Sequence, residues 1–301
     1  MTNTIDFKAY LAQRSAAVEE MLRNEVAKMD KAPRQIVEAM EYSLLAGGKR
    51  LRPVMLLEAA KVCGLTEEKE AVPFACALEM IHTSSLIHDD LPAMDNDDFR
   101  RGRPTNHKVY GEAMAILAGD ALLNHANEIM AQYTALHCEN RFAQAAYTIT
   151  SATGITGMIG GQTIDVLSEQ TSLTIDSEPL LRQIHTMKTC ALIRAAVVAG
   201  AQIAQASESL ICQWEAYAQA LGLAFQITDD ILDVTGNPEV LGKPTGSDLH
   251  NQKATFVTLL GLEKAQAAAD EETNKAVSAA EKIPNADFFI WLAKYLSRRD
   301  K

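Results

Sequence analysis

Apolar residues recur at helical spacing along almost the whole chain, as in Ile36, Val37, Met40 and Leu44, and again in Leu117, Ala121, Leu122 and Ile129. Side chains three and four apart share one face of a helix, so each stretch can bury a continuous stripe. Runs of Val, Ile and Thr alternating at period two are nearly absent, which leaves little from which to build a sheet. The fold class is therefore all-α. Pro and Gly predict where helices start and stop: Gly47-Gly48 ahead of Pro53, then Pro92, Pro104, Gly160-Gly161, Pro179 and the stretch from Gly236 to Pro238. The acidic, Ala-rich stretch from Ala265 to Lys282 still reads as helix. No linker rich in Pro, Gly or Ser divides the 301 residues, and 48% of them are hydrophobic, so one domain over residues 1–301 is expected.

Several function classes drop out early. Met1 to Arg14 carries Asp6, Lys8 and Arg14 without the apolar core of a secretory signal. No segment reaches the roughly 18 to 20 apolar residues that cross a bilayer, so no membrane span is expected. Five cysteines (Cys63, Cys76, Cys138, Cys190, Cys212) are scattered singly with no CxxC pair. Buried free thiols in a reducing cytosol are the expectation, and with them a cytoplasmic location. A net charge of −11 argues against nucleic acid as a partner. Any anionic substrate must be held by local cations, and neither GxxxxGK[ST] nor a dinucleotide fingerprint is present to supply another design.

Two acidic clusters stand out. The first, Ser85-Leu-Ile-His-Asp-Asp-Leu-Pro-Ala-Met-Asp-Asn-Asp-Asp98, has carboxylates at 89, 90, 95, 97 and 98. Pro92 disfavours helix at Leu91, so Asp89 and Asp90 should end one helix while Asp95 to Asp98 lie on the loop that follows. The second, Gln226-Ile-Thr-Asp-Asp-Ile-Leu-Asp233, sets Asp229 and Asp233 four apart on one helix face. Like charges at that spacing cost a helix about 0.2 to 0.5 kcal/mol, which a bound cation would reverse. Carboxylates without Cys or a His set suit a hard ion such as Mg2+.

Basic residues accompany them. Gly47-Gly-Lys-Arg-Leu-Arg-Pro53 puts three cations on a turn before a helix whose expected first position is Pro53. A helix N-terminus adds positive dipole and N–H donors, so this junction suits a diphosphate. Arg100-Arg-Gly-Arg-Pro104 follows the first acidic cluster directly, where its guanidinium forks can grip phosphate oxygens or else neutralise the neighbouring aspartates. His82 sits seven residues before Asp89, two turns along the same helix face. Lys188-Thr189, Gln226, Lys243 and Lys253 say little one by one.

Taken together the chain resembles the trans-prenyl diphosphate synthases, and most closely bacterial farnesyl diphosphate synthases. The matching stretches are GGKRLRP at 47–53, LIHDDLPAMDNDDFRRGRPTNH at 86–107, LAGDALL at 117–123, GGQTID at 160–165, KT at 188–189, FQITDDILD at 225–233 and GKPTGSD at 242–248. The resemblance implies a bundle of about a dozen helices around a deep pocket, with the aspartate motifs facing each other across its mouth, usually as a homodimer. It implies that Asp89, Asp95 and Asp229 bind about three Mg2+ ions, with Mn2+ as a substitute, supported by Asp90 and Asp233. Arg100, Lys188 and Lys243 would then grip the allylic diphosphate, Lys49, Arg52, His82 and Arg101 would hold isopentenyl diphosphate, and Lys253 would be a further contact. Thr189 and Gln226 would stabilise the allylic cation by their dipoles.

Product length in such enzymes is set below the first aspartate motif, where a bulky side chain stops the growing tail. Tyr usually stands five residues before the first Asp in the farnesyl synthases this chain resembles; here that residue is Ser84, followed by Ser85. Five residues of helix rise roughly 7.5 Å, so Ser84 lies where a lengthening tail would arrive. Asn127 stands where a larger apolar or aromatic residue is expected. Whole-chain likeness ranks farnesyl diphosphate first as product, the open floor favours geranylgeranyl diphosphate, and Met80, Phe142 or Tyr147 are the residues able to fill the gap. A terpene cyclase would carry a different second metal motif. A phosphohydrolase built on His88-Asp89 would leave DDILD and GGKRLRP unexplained. A non-catalytic partner subunit would be expected to lose aspartates that are intact here.

Overall fold

Helices account for most of the described residues in a computed structural model that describes residues 6–168, 177–236 and 255–298. The chain divides into two compact units, Met1–Tyr147 with Gln202–Gln205, and Thr148–Ala201 with Ala206–Lys301.

The first unit holds α1 (Phe7–Val26), α2 (Arg34–Leu44), α3 (Leu51–Val62), α4 (Val72–Asp89), α5 (Asn106–Tyr110), α6 (Glu112–His137) and the start of α7 (Asn140–Thr153). α1 begins where the Asp6 carboxylate accepts the amides of Lys8 and Ala9, donors that have no partner inside the first turn. α4 is buried without a break from Phe74 to Ile81, the mark of an interior helix rather than an amphipathic surface one. It packs on α1, α2, α3 and α6. Its lower end enters an aromatic cluster in which Phe74 stacks on Phe142 at 5.9 Å and both meet Tyr133 edge-on. Gly119 on α6 admits the His88 ring, with which any Cβ there would collide.

Between α4 and α5 lies a miniature hairpin, β1 (Phe99–Arg100) paired antiparallel with β2 (Arg103–Pro104). Its two-residue loop, Arg101-Gly102, has positive φ at both positions (53° and 73°), the requirement of a type I′ connection. Two-residue strands are too short to produce an alternating pattern, so periodicity could not reveal them. Tyr42 of α2 donates to the Pro104 carbonyl (2.8 Å) and the Asn106 amide donates to Ala39 O and Ser43 Oγ (both 2.8 Å), which latches the hairpin to α2.

The second unit comprises the end of α7, α8 (Met158–Ser168), α9 (Glu178–His185), a π-helical turn (Thr186–Cys190), α10 (Ala191–Ile203), α11 (Glu208–Thr235), α12 (Phe256–Leu260), α13 (Leu262–Ala280) and α14 (Asp287–Ser297). α11 is its axis and packs along α13. Trp214, Tyr217 and Phe289 form the aromatic centre, with Trp214 4.5 Å from Phe289 and the Tyr217 hydroxyl donating to Phe289 O at 3.0 Å.

Three sequence expectations change. α3 starts at Leu51, making Pro53 its third residue rather than its first; the left-handed Arg50 turns the chain earlier, and a residue without N–H still suits the first turn. Gly160-Gly161 lies inside α8 and breaks nothing. Of the five cysteines, Cys76 and Cys190 are buried, Cys63 is intermediate, and Cys138 and Cys212 are exposed; all are free thiols. No helix among the described residues is long and apolar enough to cross a membrane.

Phe289 is fully buried against Trp214 and Tyr217. Phe289→Ala should lower unfolding free energy by about 3–5 kcal/mol, read by urea denaturation followed by circular dichroism; a loss under about 1 kcal/mol would mean that this centre does not hold α14 to α11.

Candidate active site

The basic turn at 47–53 is bent by positive φ at Gly47, Gly48 and Arg50 (82°, 127° and 48°). For a residue with a Cβ this region costs roughly 1–2 kcal/mol. Arg50 holds it because its buried guanidinium lies 2.7 Å from Glu79, 2.6 Å from Glu19 and 2.5 Å from the Leu44 carbonyl. Of the three cations in the turn, then, Arg50 faces into the protein, while Lys49 and Arg52 remain partly exposed. Arg101 reaches the same turn from the hairpin and donates to the Gly47 carbonyl. A Cβ at Gly48 would stand 2.8 Å from its guanidinium carbon, and the φ of 127° there is one that residues with a side chain rarely adopt. His82 on α4 completes the group: burial first, then the charges of Arg52, Arg101, Arg100 and Arg50, push its imidazole well below the ordinary value. The ring is neutral at pH 7 and can donate one hydrogen bond among cations.

α4 ends at Asp89, and Asp90 caps it, as the Pro92 argument requires. The loop then folds back: the Asp95 amide donates to Asp89 O at 2.8 Å, and Asn96, with φ 54°, donates to Leu91 O at 3.1 Å. Asp89 and Asp95 are thereby drawn together with partly exposed side chains. Asp90 differs. It is 3% exposed, and Arg100 clasps it through Nε and Nη2 at 2.6 to 2.9 Å. Burial pushes the Asp90 carboxyl up, against the hydrogen bond and charge of Arg100. Lys108 pairs with Asp98 at 2.7 Å. His88 is committed to α6, its Nε2 3.2 Å from Ile116 O, so half of the His88-Asp89 pair serves helix packing.

In the second unit α11 presents Gln226, Asp229, Asp230 and Asp233. Asp230 is buried and structural: one oxygen accepts the Phe256 amide at 2.8 Å and the other accepts from Gln226 at 3.3 Å, fastening α12 to α11. Thr189 donates to Gln226 Oε1 at 3.0 Å, and Lys188 pairs with Asp165 of α8 at 2.6 Å. Lys188 and Thr189 lie on the π-helical turn, a distortion that recurs at functional sites. Gly161 lets α8 approach that turn; a Cβ there would stand 2.8 Å from Lys188 Cα. His185, stacked on Phe256 at 5.6 Å, is pushed down to about 4 by burial, with Asp165 opposing and Lys188 and Arg182 adding to the effect. Lys243, Lys253 and the GKPTGSD stretch lie outside the described residues.

The donor chemistry fits Mg2+. Among the described residues no three His, Cys, Asp or Glu side chains gather as a cage. Mg2+ seldom uses one: it keeps several waters and takes one or two carboxylates plus substrate phosphates, which the Asp89–Asp95 arrangement can provide.

Ser84, Ser85 and Asn127, the residues expected to bear on chain length, sit in the first unit. Ser84 is 2% exposed, and its hydroxyl donates to Ile81 O; Ser85 donates to His82 O and Asn127 to Leu123 O, all at 2.8 Å. Each polar tip is thus folded onto its own helix. Of the residues able to fill the space, Tyr147 is 75% exposed, Phe142 belongs to the aromatic cluster around Phe74, and Met80 lies buried one turn below Ser84.

A polyprenyl synthetase family model matches residues 33–287. The chain belongs to the polyprenyl synthetase family. It is 44% identical to a chloroplastic geranylgeranyl pyrophosphate synthase of Catharanthus roseus, with 99% of this chain and 83% of that protein covered. Among solved structures it is similar to an FPP/GFPP synthase from Zymomonas mobilis (34% identity, 97% and 99% coverage, TM-score 0.84) and to a geranylgeranyl pyrophosphate synthetase from Pyrococcus horikoshii (28%, 98% and 100%, 0.86). The all-α fold is that of these isoprenoid synthases, and the activity is that of a prenyl diphosphate synthase.

Three residues of this polyprenyl synthetase escaped sequence reasoning. Asp165 closes the GGQTID stretch, and its place in a matched motif was the available signal. Asp230 was visible as the second Asp of DDILD, but nothing in spacing distinguishes a ligand from a strut. Glu79 lies within an apolar helix, and a lone carboxylate there implies a buried cation partner.

Two outcomes follow from this geometry. Asp89→Ala should reduce kcat by about 100-fold or more, the scale of losing one charge-stabilising group, with an unchanged thermal midpoint because it removes one of several clustered like charges; retained turnover contradicts a metal-site role. Unfolded His185 titrates near 6.5. Below that pH the unfolded chain takes up a proton that the folded chain refuses, so stability falls as pH drops from about 6.5 toward 4. Melting curves should show the midpoint falling over this window, and less steeply in His185→Gln; equal slopes would show that His185 is not responsible.

Proposed function

We propose that this polyprenyl synthetase adds isopentenyl diphosphate to allylic diphosphates through to geranylgeranyl diphosphate, C20. The observation that carries the reading is Ser84 in place of an aromatic floor, buried on α4 with Met80, also buried, four residues before it. The names of the relatives, geranylgeranyl pyrophosphate synthases among them, favour C20 over the farnesyl product ranked first from whole-chain likeness.

Lys49, Arg52, Arg101 and neutral His82 receive isopentenyl diphosphate: three cations face its charge, and the imidazole adds a donor whose own charging burial forbids. Asp89 and Asp95 would hold Mg2+ in the first unit; Asp229, with Asp233, would offer hard oxygens in the second. Mg2+, when bound, neutralises the diphosphate and stabilises it as a leaving group. Arg100, already clasped to Asp90, presents its remaining N–H donors to the allylic diphosphate, and Lys188 does so from its pair with Asp165. As the allylic carbon–oxygen bond breaks, the Thr189–Gln226 dipoles stabilise the carbocation without offering a strong nucleophile. The isopentenyl double bond adds to it, and a proton leaves to the released diphosphate. A homodimer is the expected assembly: Ile36, Met114, Leu117 and Ala121 line an open apolar groove on α2 and α6 that a second copy would cover. Cytoplasmic placement rests on the free thiols.

Incubation with dimethylallyl and isopentenyl diphosphates, followed by mass spectrometry, should give C20 in the presence of Mg2+ and nothing after chelation, with activity restored by added Mg2+ or Mn2+. Ser84→Tyr should move the product to C15. C15 from the unaltered enzyme would return the assignment to farnesyl diphosphate.

A further inference from the structure

Arg50 is the one cation of the basic turn that the proposed chemistry does not use. It is also the most constrained: its side chain is 1% exposed, its backbone is left-handed (φ 48°, ψ 37°), and it caps α3. One guanidinium joins three elements, with Glu19 on α1, Glu79 on α4 and the Leu44 carbonyl at the end of α2. Ser15 on α1 meanwhile donates to the Lys49 carbonyl at 2.8 Å, fixing the peptide immediately before Arg50.

We infer that Arg50 is a positioning residue for the isopentenyl diphosphate half of the site, an inference that rests on the reading that Lys49, Arg52, His82 and Arg101 receive that substrate. With Arg50 anchored, the chain turns so that Lys49 and Arg52 stay partly exposed on either side of a buried neighbour. Arg52 is the foremost charge acting on His82, and Arg101 the next. The same turn supplies the Gly47 carbonyl and the bare Gly48 against which Arg101 rests. Release of Arg50 would move Lys49, Arg52 and the seat of Arg101 together. The Asp90–Arg100 clasp is made by separate contacts and would persist. Lysine cannot replace the fork, because a single ammonium cannot serve two carboxylates and a carbonyl with the planar geometry seen here.

The test compares Arg50→Lys and Glu19→Gln with the unaltered enzyme, varying each substrate in turn and titrating isopentenyl diphosphate alone by calorimetry. Arg50→Lys should raise KM and Kd for isopentenyl diphosphate about tenfold, equivalent to about 1.4 kcal/mol of binding, while KM for the allylic substrate changes by less than about twofold. Glu19→Gln, whose carboxylate is more exposed than that of Glu79, tests the same anchor at lower risk to folding and should shift the same constants by less. A lowered thermal midpoint with both KM values and Kd unchanged in both variants overturns the inference, leaving Arg50 a purely structural ion pair. Failure of the unaltered enzyme to bind or condense isopentenyl diphosphate overturns the underlying reading instead, and is recognised without any variant.

Discussion

Burial of α4 on nearly all of its faces sets the register on which the rest of the first unit depends. A close-packed helix can neither rotate nor slide without opening voids, so His82, Ser84, Asp89 and Asp90 stand at fixed heights along one rod. Its buried carboxylates then dock the basic segments: Glu79 takes Arg50, which shapes the turn before α3, and Asp90 takes Arg100, which seats the hairpin. Removing one partner from such a buried pair typically costs 3–5 kcal/mol because the other charge is stranded. The same two pairs therefore stabilise the fold and place cations near His82 and the first aspartate motif.

In the second unit a local irregularity does comparable work. The π-helical turn between α9 and α10 carries Lys188 and Thr189, and it can lie close to α8 because Gly161 has no side chain. Asp165 and Gln226 then become the partners of Lys188 and Thr189. Asp230, one residue from Asp229, spends its oxygens on Gln226 and on the α12 amide. Adjacent aspartates on one helix thus divide between a partly exposed position and an internal brace.

A chain of net charge −11 still gathers cations locally, where the basic turn and the hairpin meet around His82. Arg52, Arg100, Arg101 and Arg50 together depress His82, behind burial, which keeps the ring neutral in a region already rich in positive charge. Arg50 and Arg100 are largely compensated by Glu19, Glu79 and Asp90. Lys49 and Arg52 stay partly exposed beside them.

Helical periodicity was enough to determine an all-α chain, because the 3.6-residue repeat of apolar residues is a local property that survives into the fold. Pro92 likewise determined that Asp89 closes a helix while Asp95 lies on a loop, through a steric effect between neighbours. The motifs and their order led to the polyprenyl synthetase family and to the candidate residues named from them, but not to the parts played by Glu79, Asp165 and Asp230. Which members of a motif face outward was decided only by tertiary contacts. Arg50 and Arg52 are equal as letters, as are Asp229 and Asp230, and separate only in the fold, where Arg50 is buried against Glu19 and Glu79 and Asp230 against the Phe256 amide while Arg52 and Asp229 stay partly exposed. Glycine meanings were decided there too: Gly160-Gly161 reads locally as a break, yet lies within α8 because a neighbouring turn needs the space. Local sterics travel with the sequence; the pairing of buried charges exists only once remote segments have been brought together.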